Sequence, residues 1–204
     1  MAMSSDAEAT LTDGRRARRD RNKNAVLDAM IELFTSDRDP TPDDIAAVCG
    51  LSPRSVYRYF EDRDALILAA IERNQERLWP LFRIQGFGTG PLEQRIDRFV
   101  QSRIELYEAN ADLSRATRRR AAGNELIRAS AELSQERLRS QTVGQFAQEL
   151  QAMDGKQSRS TIAAIDALTQ FEGLDYYRVT RKFSKAMTTT MLIDSLNDLL
   201  GPTR

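Results

Sequence analysis

Apolar residues recur every three to four positions along almost the whole chain, and no stretch sustains the period-two alternation of a half-buried strand. This spacing predicts an all-α protein of about nine helices, over 20–36, 42–49, 53–60, 63–79, 92–109, 113–122, 125–150, 158–182 and 184–200. Polar or glycine-rich breaks separate them: DRDP at 37–40, GLS at 50–52, IQGFGTGP at 84–91, Gly123-Asn124 and MDG at 153–155. Residues 1–14 are small, polar and aperiodic and read as a disordered tail. The helices over 42–49 and 53–60 are too short to stand alone, so longer neighbours must hold them.

Those two short helices carry the clearest start signals. Thr41-Pro42 and Ser52-Pro53 each put a hydroxyl at the N-cap and a proline at the first helical position. Between them Gly50 can take the positive φ of a sharp turn, and Leu51 can fill the angle between the helices. The result is a helix-turn-helix. Ile45, Val48 and Cys49 are expected to share a face that meets Val26, Leu27, Met30, Leu33 and Phe34, with Cys49 as a small buried hydrophobe. At 100° per residue, Pro53, Val56, Tyr57 and Phe60 fall on one side of the next helix, with Arg54, Ser55, Arg58 and Tyr59 on the other. The second side has nothing to bury. Guanidinium groups, a hydroxyl and a phenol there suit a DNA groove, where arginine grips guanine or phosphate and tyrosine hydroxyls reach phosphate.

Composition sharpens this. The 204 residues carry 30 basic and 30 acidic side chains, so any polyanion-binding surface must be local. One such patch is RRARRDRNK at 15–23: Arg15, Arg16, Arg18, Arg19, Arg21 and Lys23 against one acid give a local net charge of +5. This arm can follow a phosphate backbone or enter a minor groove. With no histidine and one cysteine, most zinc sites and every Ser/His or Cys/His nucleophile pair are excluded. No phosphate loop is present, and we expect no catalytic residues, no metal and no cofactor. The longest apolar run, ALILAAI at 65–71, is far short of a membrane span, and the N-terminus lacks the apolar core of a signal peptide; a cytoplasmic protein is expected.

Residues 20–66, with AVLDAMIELF followed by DDIAAVCGLSPRSVYRYFEDRDAL, resemble the DNA-binding region of the TetR family of bacterial transcriptional regulators. The family features fall on Leu33-Phe34, Ile45-Ala46, Gly50-Leu51-Ser52, Val56-Tyr57, Tyr59-Phe60 and the helix opening Asp62-Arg63-Asp64-Ala65-Leu66, where Arg63 stands for the usual lysine. The resemblance implies a homodimer placing two recognition helices in successive major grooves of a pseudo-palindromic operator. It implies phosphate contacts from Thr41, Tyr57, Tyr59 and Arg63 and base-facing roles for Pro53, Arg54 and Ser55, with Arg58 beside them. Residues 15–66 would form this domain and 67–204 a helical domain for effector binding and dimerisation. A repressor released by a small molecule is the expected function. A helical interaction protein that never binds DNA specifically is the rival reading.

In the second domain Leu92, Ile96, Phe99, Leu106 and Tyr107 form an apolar stripe with Arg103 inside it. That guanidinium must snorkel, pair with an acid such as Asp166, Glu172 or Asp175, or meet an anionic group on a ligand; an internal pair is favoured. Phe99, Arg103, Tyr107, Phe146, Phe171 and Tyr176 are the candidate effector pocket, for a ligand with an anionic group and an apolar body if Arg103 faces it. The helices over 158–182 and 184–200 are apolar on more than one side, and by resemblance pair with their twins in a four-helix dimer interface.

Overall fold

The computed structural model describes residues 4–36 and 38–201, with only the course of the backbone for 4–13. Among these residues there are ten α-helices and no strand: α1 Ser4–Leu33, α2 Pro42–Cys49, α3 Pro53–Tyr59, α4 Arg63–Leu78, α5 Leu92–Ala121, α6 Glu125–Gln145, α7 Ala147–Ala152, α8 Gly155–Thr169, α9 Phe171–Asp175 and α10 Lys185–Leu200. A 3-10 turn follows α4 at Trp79–Phe82, and a π-helical turn follows α9 at Tyr176–Thr180. The chain divides into two compact units, residues 1–76 and 77–204.

In the first unit, Val26, Leu27, Ala29 and Met30 of α1, Ile45 and Ala46 of α2, Val56 of α3, Phe60, and Leu66, Ile67 and Ala70 of α4 are buried. Burying each of the larger of these side chains is worth about 1.5–3 kcal/mol, which is what holds helices of eight and seven residues in place. Gly50 sits at φ 67°, the left-handed turn that stops α2 and that a side chain would strain. Arg73 of α4 donates twice to the Asp28 carboxylate of α1, at 2.7 Å each. That tie lies within the first compact unit, which runs to residue 76.

The second unit is built on α5. Ile96, Phe99, Val100, Ile104 and Tyr107 pack with Phe146, Leu150 of α7, Ile162 and Ile165 of α8, Leu174 of α9, and Leu192, Leu196 and Leu200 of α10 in one core. The leucine row of α10 is thus taken up inside the unit. Tyr176, Val179 and Met187 stay exposed.

The structure departs from the expected elements in five places. Residues 4–14, within the stretch expected as a disordered tail, are helical and continuous with the arm, no proline falling among them and no glycine before Gly14; residues 1–3 lie outside the described residues. The helices expected over 92–109 and 113–122 are one, since the polar Asn110-Ala111-Asp112 contains no breaker and Asn110 and Ser114 hydrogen-bond across one turn. The helix expected over 125–150 breaks at Phe146, which is fully buried at φ −116°, and Arg95 takes the Gln145 carbonyl beside the break. The helix expected over 158–182 ends at Thr169 and restarts as α9, where Gly173 passes so close to the end of α8 that a Cβ would lie 2.3 Å from the Ala167 carbonyl oxygen. Finally, Val48 is exposed and Cys49 half-buried; Ala46, beside Ile45, is buried in its place.

Candidate nucleic-acid interface

The turn between α1 and α2 is fixed by charge. Thr41 caps α2: its hydroxyl oxygen accepts from the Asp44 N–H at 3.2 Å, while its own N–H donates to Asp44 Oδ2 at 2.9 Å. Arg38 grips both Asp44 oxygens at 2.7 and 2.6 Å. The hydrogen bonds from Arg38, then Thr41, hold the Asp44 carboxyl well below the usual carboxylate range. In the same turn Asp39 accepts from Arg63 Nη2 at 2.6 Å. Arg63, the expected phosphate clamp, is therefore held by an exposed acid that a phosphate would have to displace.

On α3 the Ser52 hydroxyl oxygen accepts the Ser55 N–H at 3.3 Å and caps the helix. Val56 and Phe60 point into the core, which leaves Pro53, Arg54, Tyr57 and Arg58 exposed, Tyr57 to 66%. Spacing put Tyr57 on the core side; in the structure it belongs to the open surface. Ser55 is half-buried, with its hydroxyl 3.0 Å from that of Ser52. Tyr59 is half-buried too, and turns toward α1. Burial pushes its phenol up, but hydrogen bonds with Asn22 and Arg58 and the charges of Arg58 and Arg19 hold it below its ordinary value. Arg58 Nη2 donates to it at 3.3 Å. Asn22 was not singled out by the sequence.

The arm is part of the same surface. Arg15, Arg16, Arg18, Arg19, Arg21 and Lys23 are all exposed on α1. Arg15, Arg19 and Lys23 follow one another at four-residue spacing and so line one face. That face reaches the end of α3, because Lys23 Nζ lies 5.6 Å from the centre of the ring of Phe60, which caps the helix. The described residues thus bring the arm and the end of α3 together as one strongly basic ridge.

In the second unit the effector candidates fall into separate groups. Phe99 and Phe146 meet edge to face with centroids 5.1 Å apart, and Arg103 lies over the Phe99 ring at 4.3 Å. Tyr107 and Phe171 form another pair, 5.7 Å apart, and Tyr107 donates to Asp175 at 2.9 Å. Tyr176 is exposed and packs on Tyr177. The expected acid partner of Arg103 is absent among the described residues. Asp166 pairs with Arg139 at 3.1 Å, Glu172 with Arg118, and Asp175 with Arg115 at 2.7 Å. Arg103 instead donates to the Gln141 Oε1 at 2.7 Å and the Leu138 carbonyl at 2.9 Å, and its Nε–H has no acceptor. Burial pushes its guanidinium down to about 9, against the pull of Asp166, so it remains cationic at neutral pH.

Two turns earlier on the same helix, Arg95 was not singled out by the sequence, although it continues the row of Phe99 and Arg103 at four-residue spacing. Every one of its nitrogens is engaged: both Nη atoms meet Glu149, Nη1 also reaches the Gln145 carbonyl at 2.9 Å, and Nε the Gly90 carbonyl at 3.0 Å. Among the described residues no three histidine, cysteine, aspartate or glutamate side chains cluster as metal ligands, and no helix is long and apolar enough to cross a membrane.

No family model and no curated protein sequence matches the chain. Solved structures do. A TetR-family transcriptional regulator from Streptomyces coelicolor superposes with a TM-score of 0.69 at 20% identity, over 88% of this chain and 80% of its own. A protein described as a TetR-family transcriptional regulator from Rhodococcus sp. gives 0.70 at 19%, over 89% of this chain and 100% of its own. A protein described as a transcriptional regulator from Streptomyces coelicolor A3(2) gives 0.61 at 16%, over 89% of this chain and 99% of its own. At such identities the likeness establishes a common fold: this chain has the fold of TetR-family regulators.

Proposed function

We propose that the protein is a sequence-specific DNA-binding transcriptional regulator. It binds a pseudo-palindromic operator as a homodimer and acts as a repressor released by a small-molecule effector. The observation that carries the reading is the open face of α3, where Pro53, Arg54, Tyr57 and Arg58 stand in water while Val56 and Phe60 hold the helix to its core. A helix this short has no fold-related use for that many exposed rings and guanidinium groups. A major groove has one: Arg54 for guanine edges, Tyr57 and Arg63 for phosphates once Asp39 is displaced, and the ridge of Arg15, Arg19 and Lys23 for the flanking backbone. Thr41 lies at the edge of the same surface with its hydroxyl already used in the cap. Description of the three structural neighbours as transcriptional regulators supports the reading. The exposed Tyr176, Val179 and Met187 support dimerisation through the segment from α8 to α10.

Selection of bound duplexes from random DNA is the test. A two-fold symmetric consensus is expected, bound by a dimer in sedimentation and released by an effector found in a ligand screen. Salt-sensitive binding without an enriched sequence would instead favour a helical interaction protein with incidental affinity for polyanions.

A further inference from the structure

Arg103 is 1% exposed and forms no ion pair with a described carboxylate; the charge of Asp166, itself paired with Arg139, acts on it only from beyond contact. Buried cations are ordinarily matched by an anion, and Arg95 on the same helix shows that this fold builds such a match where it needs one. Arg103 has only neutral acceptors. Of its five N–H groups two are used, by the Gln141 Oε1 and the Leu138 carbonyl. Nε–H has no acceptor and each Nη makes a single hydrogen bond, so the guanidinium keeps donor capacity unused at Nε, which a carboxylate oxygen could take. Away from Gln141 and the Leu138 carbonyl its neighbours are rings: Phe99 covers the guanidinium and Phe146 packs on Phe99.

Gln141 has a second task. Its Oε1 accepts from Arg103 while its Nε2 donates to the Phe82 carbonyl, at the end of the turn that follows α4. One residue before Arg103, the Ser102 hydroxyl donates to the Leu81 carbonyl of the same turn at 3.2 Å. Whatever draws on Arg103 is therefore felt by a segment directly continuous with α4.

We infer that Arg103 is the recognition residue for an organic monocarboxylate with an apolar body, and that Gln141 relays its occupancy to residues 79–82. A carboxylate oxygen takes the free Nε–H, the apolar body lies among the rings, and Arg103 loosens its hold on Gln141, which in turn loosens its hold on Phe82. This names the effector class within the ligand-responsive reading above, and its consequence for DNA rests on that reading.

Binding is measured on the full-length protein without DNA, so that the carboxylate site and the DNA reading fail separately. The probes are octanoate, decanoate, benzoate and indole-3-acetate, each against its primary amide. At least one carboxylate raises the melting temperature and binds in calorimetry, and its amide, which has the shape but not the charge, does neither. Arg103→Met, which folds with an apolar chain of similar length, weakens that binding by about 30-fold or more, as expected for a buried charge-assisted pair. Arg103→Lys, which keeps the charge and loses the fork, restores only part of it. Gln141→Leu keeps binding but loses carboxylate-dependent protection changes in the amides of residues 79–83 in hydrogen exchange. No response to any carboxylate, equal response to acid and amide, or undiminished binding in Arg103→Met overturns the site. Unchanged exchange coupling in Gln141→Leu overturns the relay.

Discussion

The guanidinium groups of α3 and those of α5 are held in opposite ways. Arg54 stands in water and Arg58, also exposed, reaches only the neighbouring Tyr59, whereas Arg95 and Arg103 are 2% and 1% exposed on a helix that forms the centre of its unit. A charge left in water costs the fold little and can be desolvated by an incoming polyanion. A charge taken out of water has to be answered inside the protein, and α5 answers one of its two. The difference separates Arg95, matched by an acid within the fold, from Arg54 and Arg103, whose proposed partners lie outside it.

Breaking the answered charge has the largest effect. Glu149→Ala leaves Arg95 buried with only carbonyl acceptors and costs about 3 kcal/mol of stability in urea denaturation. Arg54→Ala leaves stability unchanged and costs about 1–3 kcal/mol of operator affinity, with specificity relaxed at one base position, read by titration of the selected operator and its single-base variants. Arg103→Met stays within about 1 kcal/mol of the parent stability, because the cost of freeing the Gln141 and Leu138 oxygens is offset by removing an unmatched cation. A loss there as large as that of Glu149→Ala would erase the distinction between the two sites.

The smallest effect is one of pH. Asp44 and Glu149 are both held below their ordinary values by arginine hydrogen bonds, so each binds its proton less readily folded than unfolded. Their contribution is full above the unfolded values of 3.8 and 4.5 and declines as pH falls below them. Acid titration of Asp44→Asn and Glu149→Gln, each against the parent chain, should show a shallower loss of stability below about pH 4 in both variants.

What could be read in advance follows the range of the forces involved. The caps at Thr41 and Ser52 and the turn at Gly50 are local chemistry, and α2 and α3 begin where those residues require. The breaks at Phe146 and Thr169 are imposed by packing and by Arg95 from another helix, which no local pattern signals. Arg103 was visible as a charge within an apolar stripe. Its partners were not, since a buried cation calls for an acid and the acceptor is the neutral Gln141, 38 residues on in sequence. Likewise Arg63 could be picked out as a cation at a helix start, but its pairing with Asp39 depends on how the α1–α2 turn folds back.

The central claim is that the exposed face of α3 reads a DNA sequence. It is tested most directly by the ratio of affinities for the selected operator and for a scrambled duplex of the same length, measured side by side at physiological salt. A specific regulator gives a ratio of about 10³ or more, and Arg54→Ala lowers it by weakening the operator complex alone. A ratio near one, or equal loss on both duplexes in Arg54→Ala, would mean that α3 supplies only charge and would contradict the account.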